Sequence, residues 1–193
     1  IQTEEYPLRY GENPQQKAIA LINNNSFIQV SGQKKLSYNN LLDLDAAINI
    51  AYASKTNENI CTIVKHNIPC GGAIKNTQKE SYIKALTGDP VSAFGGIVAF
   101  NKKLTIDTAK LLVKNFYEVI AAPNFEKEAL IILKAKSNLR VLKVKKTNYK
   151  VERRSIFAGA LIQNKNNKVS SIKEINGVSR LKKNRVDFFI NVL

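Results

Sequence analysis

The chain has 193 residues, of which 44% are hydrophobic and 23% charged, proportions that are ordinary for a soluble globular domain. No apolar run approaches the roughly 20 residues that a membrane-spanning helix needs, and no signal peptide is recognisable, so we expect no membrane segment and a cytoplasmic location. Two cysteines are too few for a disulfide scaffold. Because the chain contains no Met, we expect it to be a piece of a longer product.

The net charge of +15 and the isoelectric point near 9.8 are the most marked features of the composition. Such an excess of positive charge is compatible with a Lys-rich surface, an anionic small ligand or nucleic acid. The basic pairs lie far apart in the sequence, at residues 34–35, 102–103, 145–146, 153–154 and 182–183. Since they form no run of five or more and no aromatic RNA-binding motif accompanies them, we favour the Lys-rich surface and do not expect nucleic acid as a partner.

Apolar periodicity and turn residues predict most of the secondary structure. In chain order we predict strands over residues 17–22 and 26–30, a helix over 41–52, a strand over 60–65, a loop over 66–72, a helix over 79–86, a strand over 96–100, a helix over 107–113, a strand over 119–122, a helix over 126–136, and strands over 139–144 and 157–163. Three asparagines separate the first two strands, which favours a hairpin.

The helix over residues 41–52 has apolar residues at helical spacing. This spacing leaves Asp43 and Asn49 facing outward, and Asn39 and Asn40 are suitable caps for the helix. Asp107 is the predicted cap of the helix that follows it. Helices and short apolar strands therefore alternate, which predicts an α/β layered fold with a largely parallel sheet. Functional residues of such folds gather at the carboxyl ends of strands, so the loop after residue 65 is the first candidate site.

The first candidate segment, residues 8–16, places Arg9 beside Tyr10 and follows them with Gly11 and a proline. Glycine and proline favour a rigid loop, and the planar guanidinium of arginine matches phosphate geometry with two hydrogen bonds. The alternative is an N-terminal loop with an exposed arginine, which composition alone favours.

The second candidate segment, residues 64–72, contains the only histidine of the chain, His66, beside Lys65. A lone histidine is usually structural, but its position at a predicted strand–loop junction also indicates proton chemistry. A neighbouring ammonium favours the neutral imidazole, which accepts a proton. The backbone amides of Gly71 and Gly72 are candidates for an anion-binding nest.

A zinc site does not fit the same segment. Zinc deaminases need His-x-Glu and Pro-Cys-x-x-Cys, whereas no Glu follows His66 in that pattern and Ala73 stands where the second Cys is required. Cys61 and His66 would point to opposite faces of the predicted strand. Cys70 has no specified partner for a Cys-His nucleophile pair. We therefore predict that no metal is bound.

The third candidate segment, residues 88–101, begins with an Asp-Pro turn and continues with Ser92, Phe94, Gly95 and Gly96. Small residues around one aromatic ring suit a flat ligand that approaches the backbone. The segment matches neither a P-loop nor the Gly-x-Gly-x-x-Gly dinucleotide fingerprint. The alternative is a Gly-rich turn that leads into a core strand.

Together and in this order, the segments resemble the AICAR transformylase domain of the bifunctional AICAR formyltransferase/IMP cyclohydrolase family. The matching segments are residues 9–14, 36–40, 65–71, 89–96 and 118–123, and residues 138–142 also fit. The resemblance covers about residues 6–163, the N-terminal part of that domain. We therefore predict a partial AICAR transformylase-like domain over residues 1–163, followed over residues 164–193 by a divergent basic tail or a truncated continuation.

The resemblance implies a function and a fold. The family passes the formyl group of its co-substrate 10-formyltetrahydrofolate to the nucleotide AICAR, which gives FAICAR in purine (IMP) biosynthesis, and no metal is required. The implied fold is a layered α-β-α, cytidine-deaminase-like subdomain without zinc. The family enzyme is a homodimer with active sites at the subunit interface, and it is normally linked to an IMP cyclohydrolase domain.

The resemblance also implies roles for individual residues. Lys65 and His66 match the catalytic pair. Arg9 and Tyr10 match residues that hold the phosphate end of the nucleotide, and Phe94 with its glycines matches a loop near both substrates. The full set of implied substrate-binding residues is Arg9, Tyr10, Gly11, Asn67, Ser92, Phe94, Gly95 and Gly96.

The chain departs from the family pattern in several ways. Gln15 stands where the family has His, and Asn67 lies one position earlier than the family's Asn. The family domain is also about twice as long as this chain. The alternative to formyl transfer is therefore a non-catalytic basic domain that binds nucleotide or RNA, or an inactive fragment on the same scaffold.

Overall fold

The computed structural model describes residues 3–23, 26–53, 57–145 and 151–165. The chain divides into two compact units, Ile1–Lys146 and Thr147–Leu193. Nearly all of the predicted tail, from residue 166 onward, lies outside the described residues.

The first unit contains most of the secondary structure. Its elements are β1 (Thr3–Pro7), β2 (Ile19–Asn23), β3 (Phe27–Ser31), α1 (Tyr38–Ala51), β4 (Asn59–Lys65), β5 (Ile68–Lys75), α2 (Gln78–Leu86), β6 (Ile97–Phe100), α3 (Ile106–Leu112), β7 (Val119–Ala122), α4 (Lys127–Lys134) and β8 (Arg140–Val144). None of the helices in the described ranges is long and apolar enough to cross a membrane.

Six strands of the first unit form one mixed sheet in the order β3-β8-β7-β6-β4-β5. The β6–β7 and β7–β8 pairs are parallel, as expected for strands joined through the helices α3 and α4. The other three neighbouring pairs are antiparallel. The prediction of a largely parallel sheet was therefore wrong, because residues 66–72 hold a tight turn and most of a strand rather than a long loop.

Helices cover both faces of this sheet, which confirms the predicted layered α-β-α arrangement. The helix α1 packs on the face that carries Ile97 and Ala99 of β6. The helices α2, α3 and α4 pack on the opposite face, with Val98 and Phe100 of the same strand. Since both faces are buried, the central strands are apolar throughout rather than alternating. The likeness to cytidine deaminase stays a prediction.

The predicted hairpin over residues 17–22 and 26–30 was wrong. Both strands exist, but β2 pairs with β1, and β3 pairs with β8 of the central sheet. The strand β1 precedes the first predicted element. An asparagine-rich turn signal is local and does not determine which strands pair, whereas Phe27 and Val30 of β3 gain burial against a core cluster.

Two predicted helix caps were also wrong. Ser37 is the N-cap of α1, where its side chain accepts from the Asn40 amide while the Asn40 side chain accepts from the Ser37 amide. Asn40 is thus the third helical residue of a capping box rather than the cap. In α3 the N-cap is Thr105, and Asp107 lies in the first turn, where a carboxylate favours the helix dipole.

The described part of the second unit is an antiparallel hairpin of β9 (Val151–Ile156) and β10 (Gly159–Asn164). The predicted strand over residues 157–163 corresponds to β10, but its first two residues form the turn. Phe157 at this turn is fully exposed.

Candidate active site

Lys65, His66 and Asn67 form the corner between β4 and β5. Lys65 ends β4 and pairs with Ile68, so His66 and Asn67 alone make the turn. Both have positive φ angles, 53° and 62°, which two-residue hairpin turns require because this backbone twist matches that of the strands. Both side chains are exposed at the tip of the corner.

The predicted anion nest at Gly71 and Gly72 was wrong. Both residues lie in β5, where they pair with Ile63 and Thr62 of β4. A Cβ atom on Gly71 would lie 2.0 Å from the Ala85 carbonyl oxygen, so the glycine is required by the close approach of α2. Gly71 therefore serves the packing of the sheet against a helix.

Asp43 of α1 stabilises the corner through hydrogen bonds to its backbone. Its Oδ2 accepts from the His66 amide at 3.0 Å and its Oδ1 accepts from the Asn67 amide at 2.6 Å. The prediction that Asp43 faces outward was wrong, since it is 9% exposed. The buried stripe of the helix consists of Asn40, Asp43, Leu44, Ala47 and Ala51.

The third candidate segment lies beside Lys65. The Lys65 Nζ donates to the Phe94 carbonyl oxygen at 2.7 Å. Gly96 lies immediately before β6, where a Cβ atom would lie 2.9 Å from the Val64 carbonyl oxygen. The Asp89 carboxylate accepts from the Ser92 amide at 2.9 Å, which fixes the turn that presents Phe94.

An exposed aromatic pair borders this segment. Phe94 is 63% exposed, and its ring centroid lies 5.1 Å from that of Phe116. Gly95 adopts a positive φ of 75° and donates its amide to the Phe116 carbonyl oxygen at 2.9 Å. The two rings line a groove of about 480 Å³, whose other lining residues include Tyr117 and Leu139. A flat apolar ligand could stack here.

The first candidate segment is attached to the start of α1. The Arg9 amide donates to the Leu36 carbonyl oxygen at 2.9 Å, and the Tyr38 amide donates to that of Tyr10 at 3.2 Å. The Arg9 guanidinium lies 4.5 Å from the centre of the Tyr10 ring and donates to its hydroxyl. Gly11 is buried at the turn of this loop. The exposed Arg9 is thereby oriented by its aromatic neighbour.

A partly buried polar network connects α1 to the sheet. Glu118 Oε2 accepts from Asn40 at 2.7 Å and from Arg140 at 2.8 Å, and Arg140 also donates to Asn40 Oδ1 at 3.1 Å. Burial raises the pKa of Glu118, but the hydrogen bonds from Asn40 and Arg140 and the charges of Arg140 and Arg9 outweigh it and hold the pKa below the ordinary value. Glu118 therefore stays ionised, with Arg9 close enough to contribute.

We expect the stability contribution of Glu118 to depend on pH. Because its pKa is lowered by folding, the contribution is complete above the unfolded pKa and disappears as the pH falls through the folded value. Glu118→Gln should therefore destabilise the chain at pH values above the ordinary glutamate pKa of about 4.3, and its difference from the parent chain should shrink as the pH falls below that value. Urea unfolding at several pH values measures this difference, with the exposed Glu5→Gln as control. Equal stabilities at pH 7 would contradict the expectation.

The three candidate segments meet at one edge of the sheet. Since β4 is antiparallel to β6, its carboxyl end lies beside the amino ends of β6, β7 and β8. Lys65, Gly96, Glu118 and Arg140 lie at these strand ends. The site predicted after β4 corresponds to the corner of Lys65 and His66, and most of the surrounding strands contribute their amino ends rather than the expected carboxyl ends.

Asn40, Asp43, Glu118 and Arg140 were missed as members of this site. The sequence contains a pattern that could have identified the first two. Leu44, Ala47 and Ala51 form an apolar stripe along α1, and the same helical spacing continued toward the N-terminus reaches Asp43 and Asn40. Glu118 and Arg140 lie in segments that resemble the family in sequence, but the resemblance assigned no role to either residue. Nothing local indicates that they pair across 22 positions.

The cysteines do not form a reactive pair in this structure. Cys61 is fully buried, and burial raises the pKa of its thiol well above the ordinary value. Burial and the charge of Asp89 raise the pKa of Cys70, although Lys65 acts in the opposite direction. A thiol held in its protonated form is a weak nucleophile. Within the described ranges, no three His, Cys, Asp or Glu side chains are grouped as metal ligands.

The fold and the grouped segments define a class: a layered α/β domain with Arg-Tyr, Lys-His and Gly-rich segments at one sheet edge. A sequence model described as the AICARFT/IMPCHase bienzyme matches residues 1–188. The chain therefore belongs to the AICARFT/IMPCHase bienzyme family.

Curated relatives are similar over most of this chain. The bifunctional purine biosynthesis protein PurH of Persephonella marina is 46% identical over 82% of this chain and 32% of its own length. PurH of Clostridium perfringens strain SM101 is 44% identical over 87% of this chain and 37% of its length. PurH of Prochlorococcus marinus strain MIT 9515 is 46% identical over 94% of this chain and 38% of its own length. The chain thus spans about a third of the length of these relatives.

A solved structure of RibD from Acinetobacter baumannii aligns with 52% of this chain and 35% of its own, at 21% identity and a TM-score of 0.40. This similarity is too low to carry an argument about fold or function.

Proposed function

We propose that this chain takes part in purine biosynthesis by forming the formyl-transfer site for AICAR and 10-formyltetrahydrofolate. One observation carries the proposal: the Arg9-Tyr10 loop, the Lys65-His66 corner and the segment around Phe94 come together at one sheet edge, joined through α1 and β4. Family membership and the PurH relatives support the same assignment.

The proposed chemistry starts from a poor nucleophile, the acceptor amine of AICAR, which is conjugated to its ring carboxamide. As the amine attacks the formyl carbon, His66 removes its proton. The carbonyl oxygen becomes an oxyanion, which the Lys65 ammonium stabilises. Collapse breaks the bond to the folate nitrogen, and the imidazolium returns the proton to that nitrogen. The products are FAICAR and tetrahydrofolate.

The contacts of Lys65 suit this role. Its Nζ uses one donor on the Phe94 carbonyl oxygen, which leaves two of the three ammonium donors for an oxyanion. His66 is exposed at the tip of a backbone corner that is fixed from below. No step requires a metal, since the imidazole carries the proton and the ammonium neutralises the developing charge.

The remaining residues of the site are proposed to bind substrate. Arg9, held against the Tyr10 ring, would bind the phosphate of the nucleotide with the help of the tight turn at Gly11. Phe94 is proposed to provide an apolar surface for flat rings, with Gly95 and Gly96 allowing close approach. Asn67 and Ser92 are proposed as polar contacts at the two turns.

The proposal includes partners, because the chain spans about a third of the PurH relatives' length. We propose a homodimer linked to an IMP cyclohydrolase domain, in the cytoplasm, with further nucleotide contacts supplied by the remaining length. The transformylase-like part is proposed to occupy residues 1–163, and residues 164–193 to be a continuation or tail.

The proposed function is tested by AICAR binding and by formyl transfer with the chain and both substrates. Arg9→Ala should weaken AICAR binding by roughly 10- to 100-fold, since a charge-assisted hydrogen-bond pair is lost. Arg153→Ala, on an exposed strand of the second unit, serves as control and should bind as the parent chain does. Binding that falls steeply with salt and does not prefer AICAR over RNA would instead favour a non-catalytic basic domain.

A further inference from the structure

The corner that presents His66 is built from two residues in a backbone conformation that L-amino acids disfavour. His66 and Asn67 have φ values of 53° and 62°, and neither is glycine. In this region the Cβ atom approaches the carbonyl oxygen, so an unsupported turn of this sequence samples other conformations. The direction of the His66 Cα–Cβ bond would then vary with the turn.

The Asp43 carboxylate opposes that variation. Each of its oxygens accepts one of the two consecutive amides, at 3.0 Å from His66 and 2.6 Å from Asn67. Amide bonds to an ionised carboxylate are shorter and stronger than neutral ones. Two bonds to one rigid group fix the orientation of both peptide units. Asp43 is 9% exposed and lies within a 14-residue helix, so the support belongs to regular, packed structure.

We propose that Asp43 is a positioning residue that fixes the direction of the His66 imidazole through the backbone of the corner. The proposal rests on the proposed function, in which His66 transfers the proton. Asp43 bonds the amides and not the imidazole, so it acts before substrate arrives. Asp43 was predicted to face outward, and it is now assigned to the site instead.

Asp43→Asn is the most informative variant, since it conserves shape. An amide side chain has one acceptor oxygen, so its NH₂ group would face one backbone N–H, donor against donor. We expect kcat for formyl transfer to fall on the order of 10- to 100-fold, because small misplacements of a reacting group have effects of that size. KM for AICAR should change much less than kcat does, since the proposed phosphate contact at Arg9 is untouched.

A second variant separates positioning from a general loss of structure. Glycine adopts positive φ without the penalty of an L-residue, so Asn67→Gly relaxes the need for support. In the Asn67→Gly background, Asp43→Asn should reduce kcat less than it does in the parent chain. An equal loss of kcat in both backgrounds would contradict positioning through the turn.

The only histidine of the chain gives a readout that needs no activity. In the NMR spectrum of the substrate-free chain, Asp43→Asn should shift or broaden the single imidazole Cε1–H resonance. In the parent chain the His66 and Asn67 amides should exchange with solvent at least about tenfold more slowly than unprotected amides. An unchanged resonance, or unprotected amides in the parent chain, would overturn the proposal even if a variant failed to fold.

The two proposals fail in different ways. A parent chain with no formyl transfer would overturn the proposed function, while the resonance and the amide exchange would still decide whether Asp43 fixes the corner. Normal transfer in the parent chain and in Asp43→Asn would overturn the positioning role alone.

Discussion

Replacement of His66 by alanine is expected to reduce formyl transfer by at least about 100-fold, because the variant loses the group that accepts the proton of the attacking amine. AICAR binding should be almost unchanged, since the phosphate is proposed to bind at Arg9. The backbone corner should also survive, because Asp43 bonds the amide and not the imidazole. Single-turnover formyl transfer beside equilibrium AICAR binding measures the two quantities.

Lys65→Met is expected to have an effect of the same order, since its ammonium is proposed to stabilise the oxyanion. It also removes the hydrogen bond to the Phe94 carbonyl oxygen. The exposed Lys79→Ala on α2 is a suitable control for the loss of one positive charge. Full transfer rates in both His66→Ala and Lys65→Met would refute the assignment of the catalytic pair.

The largest effect on stability is expected for Gly71→Ala. A Cβ atom at this position would lie 2.0 Å from the carbonyl oxygen and 3.0 Å from the carbonyl carbon of Ala85. These are backbone atoms of α2, so the strand and the helix must separate and disturb the packing around Tyr82. We expect a loss of at least ~3 kcal/mol in the free energy of unfolding, near the upper range for overpacked sites.

Gly95→Ala is the matched control for this substitution. It adds the same methyl group, but the nearest atom is a Phe116 ring carbon at 3.5 Å. Its cost comes from the positive φ of 75° and should be about 1–2 kcal/mol. Chemical denaturation of both variants tests the order. If Gly71→Ala were as stable as Gly95→Ala, the expectation would be contradicted. Helix α2 would then move away from β5 at a lower cost in free energy than the close contact with Ala85 indicates.

The sequence predicted those parts of the fold that depend on local pattern. The strand predicted over residues 60–65 is β4 (Asn59–Lys65), and the helix predicted over residues 79–86 is α2 (Gln78–Leu86). Arg9, Lys65 and Phe94 of the candidate site lie in motifs that are visible in the sequence. Such motifs are readable because tight turns and close approaches limit which residues can occupy them.

Features that depend on distant partners were not predictable in the same way. The pairing of β1 with β2 and of β3 with β8 depends on which strands find an apolar partner, which no turn signal encodes. Asp43 was predicted to face outward because the helical spacing of the apolar residues left it off the apolar face. Its burial is compensated by two amides that lie more than 20 positions away in the chain.

The attachment of two site segments to one helix has a geometric consequence. The backbone at Leu36 and Tyr38 holds the loop of Arg9 and Tyr10, and Asp43 holds the corner of His66. Between Tyr38 and Asp43 the helix rises about 7.5 Å, at 1.5 Å per residue. The rise of α1 therefore sets the spacing between the proposed phosphate contact and the proposed proton acceptor. This spacing does not depend on the length of a loop.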